Sequence, residues 1–256
     1  MRRVASLALH SFEHLGGWGE LIAQSFHQLF RRPFESSLLM RQMEHLGVDS
    51  LSITTLTALF TGMVLALQTS VALDRFGVKA YIGEIVAIAL VRELGPVLTA
   101  LMVGGRVGAG ITAELGSMAV TEQIDALRAM GASPFKKLAV PRILALVLML
   151  PILTVLADTI GILGGLFIAV FELNLTAHFY ITRVLESLSF GDIMSGLGKT
   201  FFFGLFIASI GCYNGINASG GADGVGRATT HTVVAASITI LISDFFLTKL
   251  FLIFSP

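Results

Sequence analysis

Charged residues are scarce in this sequence. Asp, Glu, Lys and Arg together make up 13% of its 256 residues, about half of the roughly 25% found in soluble domains. Apolar residues make up 54%, and the mean hydropathy is +0.83. These values exclude an ordinary soluble domain and indicate a protein that lives in a lipid bilayer. Because the formal net charge is zero, nothing favours nucleic acid as a partner.

Cysteine is almost missing as well. Cys212 is the single one, which excludes an intrachain disulfide and leaves the redox compartment open. The apolar run that follows Arg2 and Arg3 breaks at His10. A run of that length is too short for the core of a signal peptide, so we expect no cleavage.

Long apolar stretches dominate what is present. Between Asp49 and Asp74 lie 24 uncharged residues, which as a helix would extend about 36 Å, enough to cross a bilayer with some tilt. Four further stretches have similar character. The predicted spans are 50–73, 81–105, 143–171, 193–216 and 228–254.

The segments outside the spans set the expected domain organisation. Residues 1–48 alternate apolar and polar positions at helical spacing, which predicts an N-terminal amphipathic region in the membrane interface. Residues 49–256 form the transmembrane domain, with 106–142 as a polar segment, 172–192 as a mixed loop and 217–227 as a tight connection. The fold class is therefore all-α: a polytopic membrane protein with an interfacial helix and five transmembrane helices.

Basic residues predict the orientation. Five Lys or Arg residues precede position 42 and more lie within 106–142, whereas the loops at 74–80 and 172–192 hold few. The positive-inside rule then places the N-terminus and the 106–142 segment in the cytoplasm and the C-terminus outside.

Three short motifs resemble enzyme signatures, but the residues around them do not fit the corresponding sites. His10 to His14 matches a zinc pattern, but no third ligand is obviously placed. Gly198-Lys199-Thr200 resembles the end of a P-loop, but Ile193 stands where that loop needs its first glycine. Residues 108–113 imitate a dinucleotide fingerprint after a membrane helix, and close helix packing around Gly108 explains them better. We therefore predict no catalytic residue, no metal site and no cofactor bound by this chain.

Charged residues inside the spans carry more information, because a charge in hydrocarbon is costly unless it is paired or hydrated. Lys199 is placed to pair with Glu93 across helices. Two interpretations stay open for these charges: a structural ion pair that sets helix register, or a polar lining of a substrate cavity. The residues concerned are Arg92, Glu93, Asp192 and Lys199. For Asp158 and Asp244, hydrogen bonding between helices is an equal alternative.

A short amphipathic helix is predicted inside the cytoplasmic segment, at 121–131. Thr121 is placed as its N-cap, acidic residues fill the first turn and Gly131 ends it. Such a helix between two spans is suited to docking into a groove on a soluble partner. The residues assigned to this coupling role are Glu122, Asp125, Leu127, Arg128 and Gly131.

This segment resembles the coupling motif of ABC-transporter permeases. Across nearly the whole chain, ordered blocks resemble the MlaE (YrbE) family of permeases. The blocks are Gly62-Met-Val-Leu-Ala-Leu-Gln68, Leu90-Val-Arg-Glu-Leu-Gly-Pro-Val97, Gly105-Arg-Val-Gly-Ala109, Ala113-Glu-Leu-Gly116, Thr121-Glu-Gln-Ile-Asp-Ala-Leu127 and Arg227-Ala-Thr-Thr230.

The resemblance implies a homodimeric permease in the inner membrane that moves phospholipids to or from a periplasmic MCE-domain partner. A cytoplasmic ABC ATPase would power it, alongside a small STAS-domain subunit. Family cavity positions fall on the charged residues Arg92, Glu93, Asp192 and Lys199, on the basic Arg41, and on the apolar Leu65, Leu94 and Phe203. Asp158 matches no family role.

Two other functions are compatible with the residues alone. An ion-coupled secondary transporter would use Glu93, Asp158 and Asp244 as a proton path. A scaffold that does not transport would need only the 121–131 helix for assembly.

Overall fold

The computed structural model describes residues 16–28, 36–74 and 79–254. Within these ranges every regular element is helical, which confirms the all-α prediction. The short 3₁₀ turns Val48–Ser50 and Lys79–Tyr81 each lead into a longer helix.

The helices of the described ranges are labelled here in chain order. They are α1 (16–28), α2 (Ser36–Gly47), α3 (Leu51–Asp74), α4 (Ile82–Val120), α5 (Gln123–Ala129), α6 (Phe135–Phe171), α7 (Ala177–Ser187), α8 (Phe190–Ile216) and α9 (Gly221–Phe254). Turns of π-helix lie within α4, at Leu90–Leu94 and Gly104–Gly108, and at the start of α6, at Phe135–Ala139.

Five segments of the described chain are long and apolar enough to cross a membrane: Ser36–Asp74, α4, α6, α8 and Gly221–Ile253. This confirms the five predicted spans and a multi-pass membrane protein. The interfacial position of the N-terminal region stays a prediction; residues 1–15 and 29–35 lie outside the described ranges.

The helices extend beyond several of the predicted spans. Helix α4 continues to Val120 and α6 begins at Phe135, so most of the 106–142 segment is helical. Helix α9 begins at Gly221, inside the predicted connection. Hydropathy detects the apolar middle of a helix and misses ends that carry charged residues into water.

The 172–192 segment contains α7, which was predicted as a loop. Thr176 caps it by accepting a hydrogen bond from the Phe179 amide at 3.4 Å. Tyr180 and Val184 on one face are buried, whereas Ile181 and Leu185 are exposed. One buried face is the ordinary cause of a short amphipathic helix, and here mixed composition concealed its period.

The helices contribute to two compact units. The first unit comprises Met1–Leu46, Gly104–Leu146 and Leu205–Ile238, and the second comprises Gly47–Val103, Val147–Gly204 and Thr239–Pro256. Each is described separately below.

A buried polar cluster joins α4, α8 and α9 in the first unit. Thr112 Oγ1 lies 2.8 Å from Thr232 Oγ1 and donates to the Gly211 carbonyl at 3.1 Å, and Asn214 donates to Thr232 at 2.9 Å. A Cβ on Gly211 would lie 3.2 Å from the Gly108 carbonyl oxygen. These glycines therefore serve close helix packing, as predicted, and polar side chains strengthen the contact in a site without water.

An apolar core holds the second unit together. Ala66 of α3, Val86 of α4, Ile168 of α6 and Tyr180 of α7 are all buried in one cluster. Leu65 and Leu94 pack against the same cluster from its edge. Helices α3 and α6 approach closely because a glycine stands at their contact, and a Cβ on Gly62 would overlap the Gly161 carbonyl.

Replacing Gly62 by alanine should lower stability. The new methyl group forces the α3 and α6 backbones apart, and overpacking of this kind costs about 1–3 kcal/mol. The check is thermal unfolding of the purified protein in detergent. Gly110→Ala is the matched control, because no atom lies within 4 Å of its added Cβ, and an unchanged unfolding temperature for Gly62→Ala would contradict the close contact.

Candidate functional site

The site begins with a backbone defect in α4. Pro96 has no amide hydrogen, so the Arg92 carbonyl, four residues earlier, loses its normal helical partner. The helix widens to a π turn over Leu90–Leu94, closed by the Gly95 amide donating to the Leu90 carbonyl. Turns of this type occur often at functional sites. They leave a polar backbone group that needs another donor.

Lys199 of α8 supplies that donor. Its ammonium group lies 3.1 Å from the Arg92 carbonyl oxygen, 2.7 Å from Glu93 Oε2 and 3.1 Å from Asp244 Oδ1. The Lys199 side chain is fully buried. The predicted pairing of Lys199 with Glu93 is therefore present. The ammonium group donates hydrogen bonds to the Arg92 carbonyl and to Glu93, and Asp244 lies at ion-pair distance.

Close approach of α8 makes this reach possible. Gly196, one turn before Lys199, packs directly on the Val91 carbonyl, and a Cβ there would overlap the oxygen. A larger residue would hold α8 away from the π turn.

Asp192 pairs with Arg92. Arg92 Nε donates to Asp192 Oδ1, while Asp192 Oδ2 accepts from both the amide and the hydroxyl of Ser189, each at 2.8 Å. Ser189 and Asp192 thus form a capping box that starts α8. The Ser-x-x-Asp spacing is a sequence signal for this helix start, and none of the predictions from the sequence used it.

Asp244 of α9 also joins this network. It faces Lys199, and Thr248, one turn later, donates to Glu93 Oε1 at 3.1 Å. The i, i+4 spacing of two polar residues in an apolar span is the signal that could have identified them. The contact with Lys199 shows that Asp244 belongs to the charge network.

A pocket of about 240 Å³ opens beside the network. Arg92 and Glu93 form its charged wall, and the side chain of each is 41% exposed. Ile88, Phe251 and Leu252 supply apolar lining. The pocket therefore has an ionic side and an apolar side.

The predicted cavity residues have different positions in the structure. Arg92 and Glu93 line the pocket, while Lys199 and Asp192 bind to them from behind. The apolar lining roles of Leu65, Leu94 and Phe203 stay predictions: Phe203 is buried, and Leu65 and Leu94 are half-buried at the core. Arg41 is exposed on α2, and its role also stays a prediction.

Asp158 lies away from this network. It is 8% exposed, its Oδ1 has no hydrogen-bond partner, and it packs against Gly95. A second, much smaller pocket of about 10 Å³ is lined by Gly95, Leu94 and several threonines.

The predicted coupling helix is α5, with one corrected end. Thr121 does not cap it: its hydroxyl donates to the Ser117 carbonyl at 2.7 Å, and Glu122 takes the N-cap position with φ 59°. Gly131 (φ 76°) ends the helix as predicted, with its amide donating to the Arg128 carbonyl at 2.9 Å. Thr121 fails as a cap because its side chain satisfies the end of α4 instead.

Helix α5 exposes most of its surface. Ile124 is buried, whereas Met130 is 74% exposed. Asp125 and Arg128 form an exposed pair at 2.9 Å. An ion pair of 2.7 Å between Glu114 of α4 and the buried Arg142 of α6 joins the helices on either side of α5. The two ends of α5 are therefore attached to helices that are held together.

The enzyme-like motifs have different outcomes. Gly198 to Thr200 is helical within α8 and its lysine is occupied by the ion network, so it is not a P-loop. The motif at residues 10–14 lies outside the described residues.

Comparison with known proteins identifies the family. The model of the family described as "Permease MlaE" matches residues 39–250. The chain belongs to the MlaE permease family. The resemblance inferred from the ordered motifs is thereby confirmed, and family membership makes this chain a membrane permease.

Relatives in this family are similar over most of their length. A probable ABC transporter permease protein of Rickettsia conorii is 44% identical over 223 residues, covering 87% of this chain and 86% of that protein. A probable ABC transporter permease protein of Synechocystis is 39% identical, and the match covers 90% of this chain and 88% of that protein. The intermembrane phospholipid transport system permease protein MlaE of Haemophilus influenzae is 41% identical, covering 83% and 82%.

Replacing Lys199 by methionine should destabilise the permease strongly. Glu93 and Asp244 would face each other without a cation, and breaking a buried ion network costs about 3 kcal/mol or more. Denaturant unfolding in detergent measures the loss. Lys249→Met, on an exposed lysine of α9, is the matched control.

A triple variant separates charge from packing. In Glu93→Gln/Lys199→Met/Asp244→Asn no unpaired charge is left, so at least half of the lost stability should return. Equal stability of the wild type and Lys199→Met would show that the network is not structural.

Proposed function

We propose that this chain is the membrane-spanning subunit of an ABC-type transporter that moves phospholipids between the inner membrane and a periplasmic MCE-domain partner. The carrying observation is the pocket whose ionic wall, Arg92 and Glu93, faces the apolar Phe251 and Leu252. The name of the Haemophilus influenzae relative, a phospholipid transport permease, supports the same cargo.

The pocket chemistry suits an amphiphile. A phospholipid needs charged partners for its headgroup and an apolar path for its chains. Charged residues within a membrane are usually functional. Here Lys199 holds Glu93 and Asp192 holds Arg92, so the two charges keep their positions in the pocket wall.

A separate ATPase supplies the energy in this proposal. The names of the Rickettsia and Synechocystis relatives place them in ABC transporters. Helix α5 is the proposed docking element: Asp125, Leu127 and Arg128 present a mixed surface above the buried anchor Ile124. Movement of α5 upon ATP hydrolysis would pass to α4 and α6 through the Glu114–Arg142 pair.

Self-association completes the proposed assembly. Only 11% of the apolar stretch of α9 is buried, compared with 44–50% for α4, α6 and α8. A span this exposed is open to lipid or to another subunit, and we assign it to a homodimer. The proposed complex also contains a STAS-domain subunit, with the N-terminus of this chain in the cytoplasm and its C-terminus in the periplasm.

Exchanging the charges of α5 should abolish ATPase binding. In Asp125→Lys/Arg128→Glu the i, i+3 pair is kept, so the helix stays folded, but both charges of the pair that α5 presents to the partner are reversed. Like charges brought together at an interface cost several kcal/mol, so at least about a tenfold loss of co-purified ATPase is expected. Pull-down from native membranes measures it.

The same exchange on α7 is the matched control. Arg183 and Glu186 form an i, i+3 pair at 3.7 Å, and Arg183→Glu/Glu186→Arg should leave ATPase recovery unchanged. Undiminished recovery with the α5 exchange would rule out α5 as the docking element.

Filling the pocket should stop lipid transfer. Ala89 lines it without belonging to the charge network, so Ala89→Trp obstructs the cavity while the ion pairs remain. We expect transfer by the reconstituted complex to fall at least about tenfold, with ATPase binding and unfolding temperature retained. Ala177→Trp, at an exposed position that begins α7, is the control.

The alternatives predict different results. Transport by the purified chain without ATP, under a pH gradient, would favour an ion-coupled carrier. Normal lipid transfer by Ala89→Trp would favour a scaffold.

A further inference from the structure

The charges around the pocket are unequal in number. Contacts join three carboxylates, Glu93, Asp192 and Asp244, with two cations, Arg92 and Lys199. With all five groups ionised, the network carries one more negative than positive charge. In a span such a surplus is costly unless one carboxylate takes up a proton or a further cation binds.

The surplus does not lie on Asp192. Its Oδ1 accepts from Arg92, and its Oδ2 accepts two hydrogen bonds from Ser189. The Asp192 side chain is 6% exposed. This carboxylate is fully occupied by its own capping box and one guanidinium group.

The surplus negative charge lies on the two carboxylates that share Lys199. One ammonium group serves both Glu93, at 2.7 Å, and Asp244, at 3.1 Å. Asp244 Oδ1 makes no hydrogen bond of good geometry despite that distance. Asp244 is the more buried of the two, with 20% of its side chain exposed against 41% for Glu93. Glu93 also accepts a hydrogen bond from Thr248 at 3.1 Å, so Asp244 is the less compensated carboxylate. Glu93 is nevertheless the one of the two that lines the pocket, and it presents the negative charge of the pair there.

Arg92 stands next to this carboxylate on the same wall. Its Nε is used by Asp192, and a guanidinium has five N–H donors. Its side chain is 41% exposed, so donors remain for a ligand. The hydroxyl-bearing Ser195 also lines the pocket. The wall thus offers, on consecutive residues, a guanidinium group and a carboxylate that shares its cation with Asp244.

The size of the pocket limits what enters it. Pockets for whole drug-sized ligands measure about 300–1,000 Å³, and this one measures about 240 Å³. A headgroup fits that volume better than a whole lipid. The exposed Leu252 at the pocket edge continues the surface in an apolar direction, suitable for acyl chains.

We propose that this pocket selects phospholipids whose headgroup joins a phosphate to an ammonium group over headgroups of net negative charge. Arg92 binds the phosphate and Glu93 binds the ammonium, in each case without any covalent change. The proposal rests on the lipid-transport function proposed above and names the headgroup class that this function favours.

The test uses the full chain purified with its ATPase and its MCE-domain partner and reconstituted into vesicles. The vesicles contain equal parts of phosphatidylethanolamine, phosphatidylcholine and phosphatidylglycerol. Lipid moved upon addition of ATP is quantified for each headgroup by mass spectrometry. We expect both zwitterionic lipids to be moved about fivefold more than phosphatidylglycerol, the discrimination that one partly exposed ion pair provides.

Two variants remove the surplus charge at different places. Glu93→Gln removes the carboxylate that faces the ligand, and Asp244→Asn leaves Lys199 wholly to Glu93. Both should reduce the discrimination to about equal transfer of the three lipids. Glu172→Gln is the matched control, because Glu172 is exposed after α6 and carries the same charge, and it should keep the wild-type ratio.

Each remaining outcome contradicts the proposal. Equal transfer of all three lipids by the wild type would overturn headgroup selection and leave lipid transport standing. A preference that excludes phosphatidylcholine, or one that survives in both Glu93→Gln and Asp244→Asn, would overturn the charge-based explanation. An assembled complex that hydrolyses ATP and moves no lipid would overturn the transport function itself.

Discussion

One buried ammonium group holds the centre of the second unit. Lys199 replaces the hydrogen bond that Pro96 denies to the Arg92 carbonyl, and the same group neutralises Glu93. In water such an arrangement would gain little, because the solvent competes for every partner. In the membrane each of these groups is costly without a partner. The polar contacts of Lys199 therefore join α4, α8 and α9 in a way that apolar packing alone would not.

The same constraint places the pocket. A π turn turns consecutive residues away from their regular helical directions, and here it lies where Arg92 and Glu93 enter the pocket wall. Asp192 holds the arginine, and it is itself fixed by the start of α8. Charged side chains that are held from behind keep their orientation without a ligand, and that preorganisation lowers the cost of binding.

Much of this arrangement is readable from the chain, and some of it is not. Lys199 and Glu93 stand out because each interrupts an apolar run, and their pairing follows from their opposite charges. The sequence does not decide the partner of Asp244, because that partner depends on which way α9 is rotated. The prediction of a Thr121 cap is wrong because its hydroxyl has a competing acceptor in the Ser117 carbonyl, and the mixed composition of 172–192 conceals the helical period of α7.

Hydropathy and charge scarcity alone predict the five helices of the described residues that are long and apolar enough to cross a membrane, because lipid offers the backbone no other hydrogen-bond partners. The ordered motifs indicate the family. Pro96 shows that the Arg92 carbonyl lacks its helical hydrogen-bond donor. Only the packed helices decide that Lys199 is that donor and that Asp244 shares it. These contacts join residues far apart in the chain, and their geometry depends on helix rotation and close approach, which no local pattern encodes.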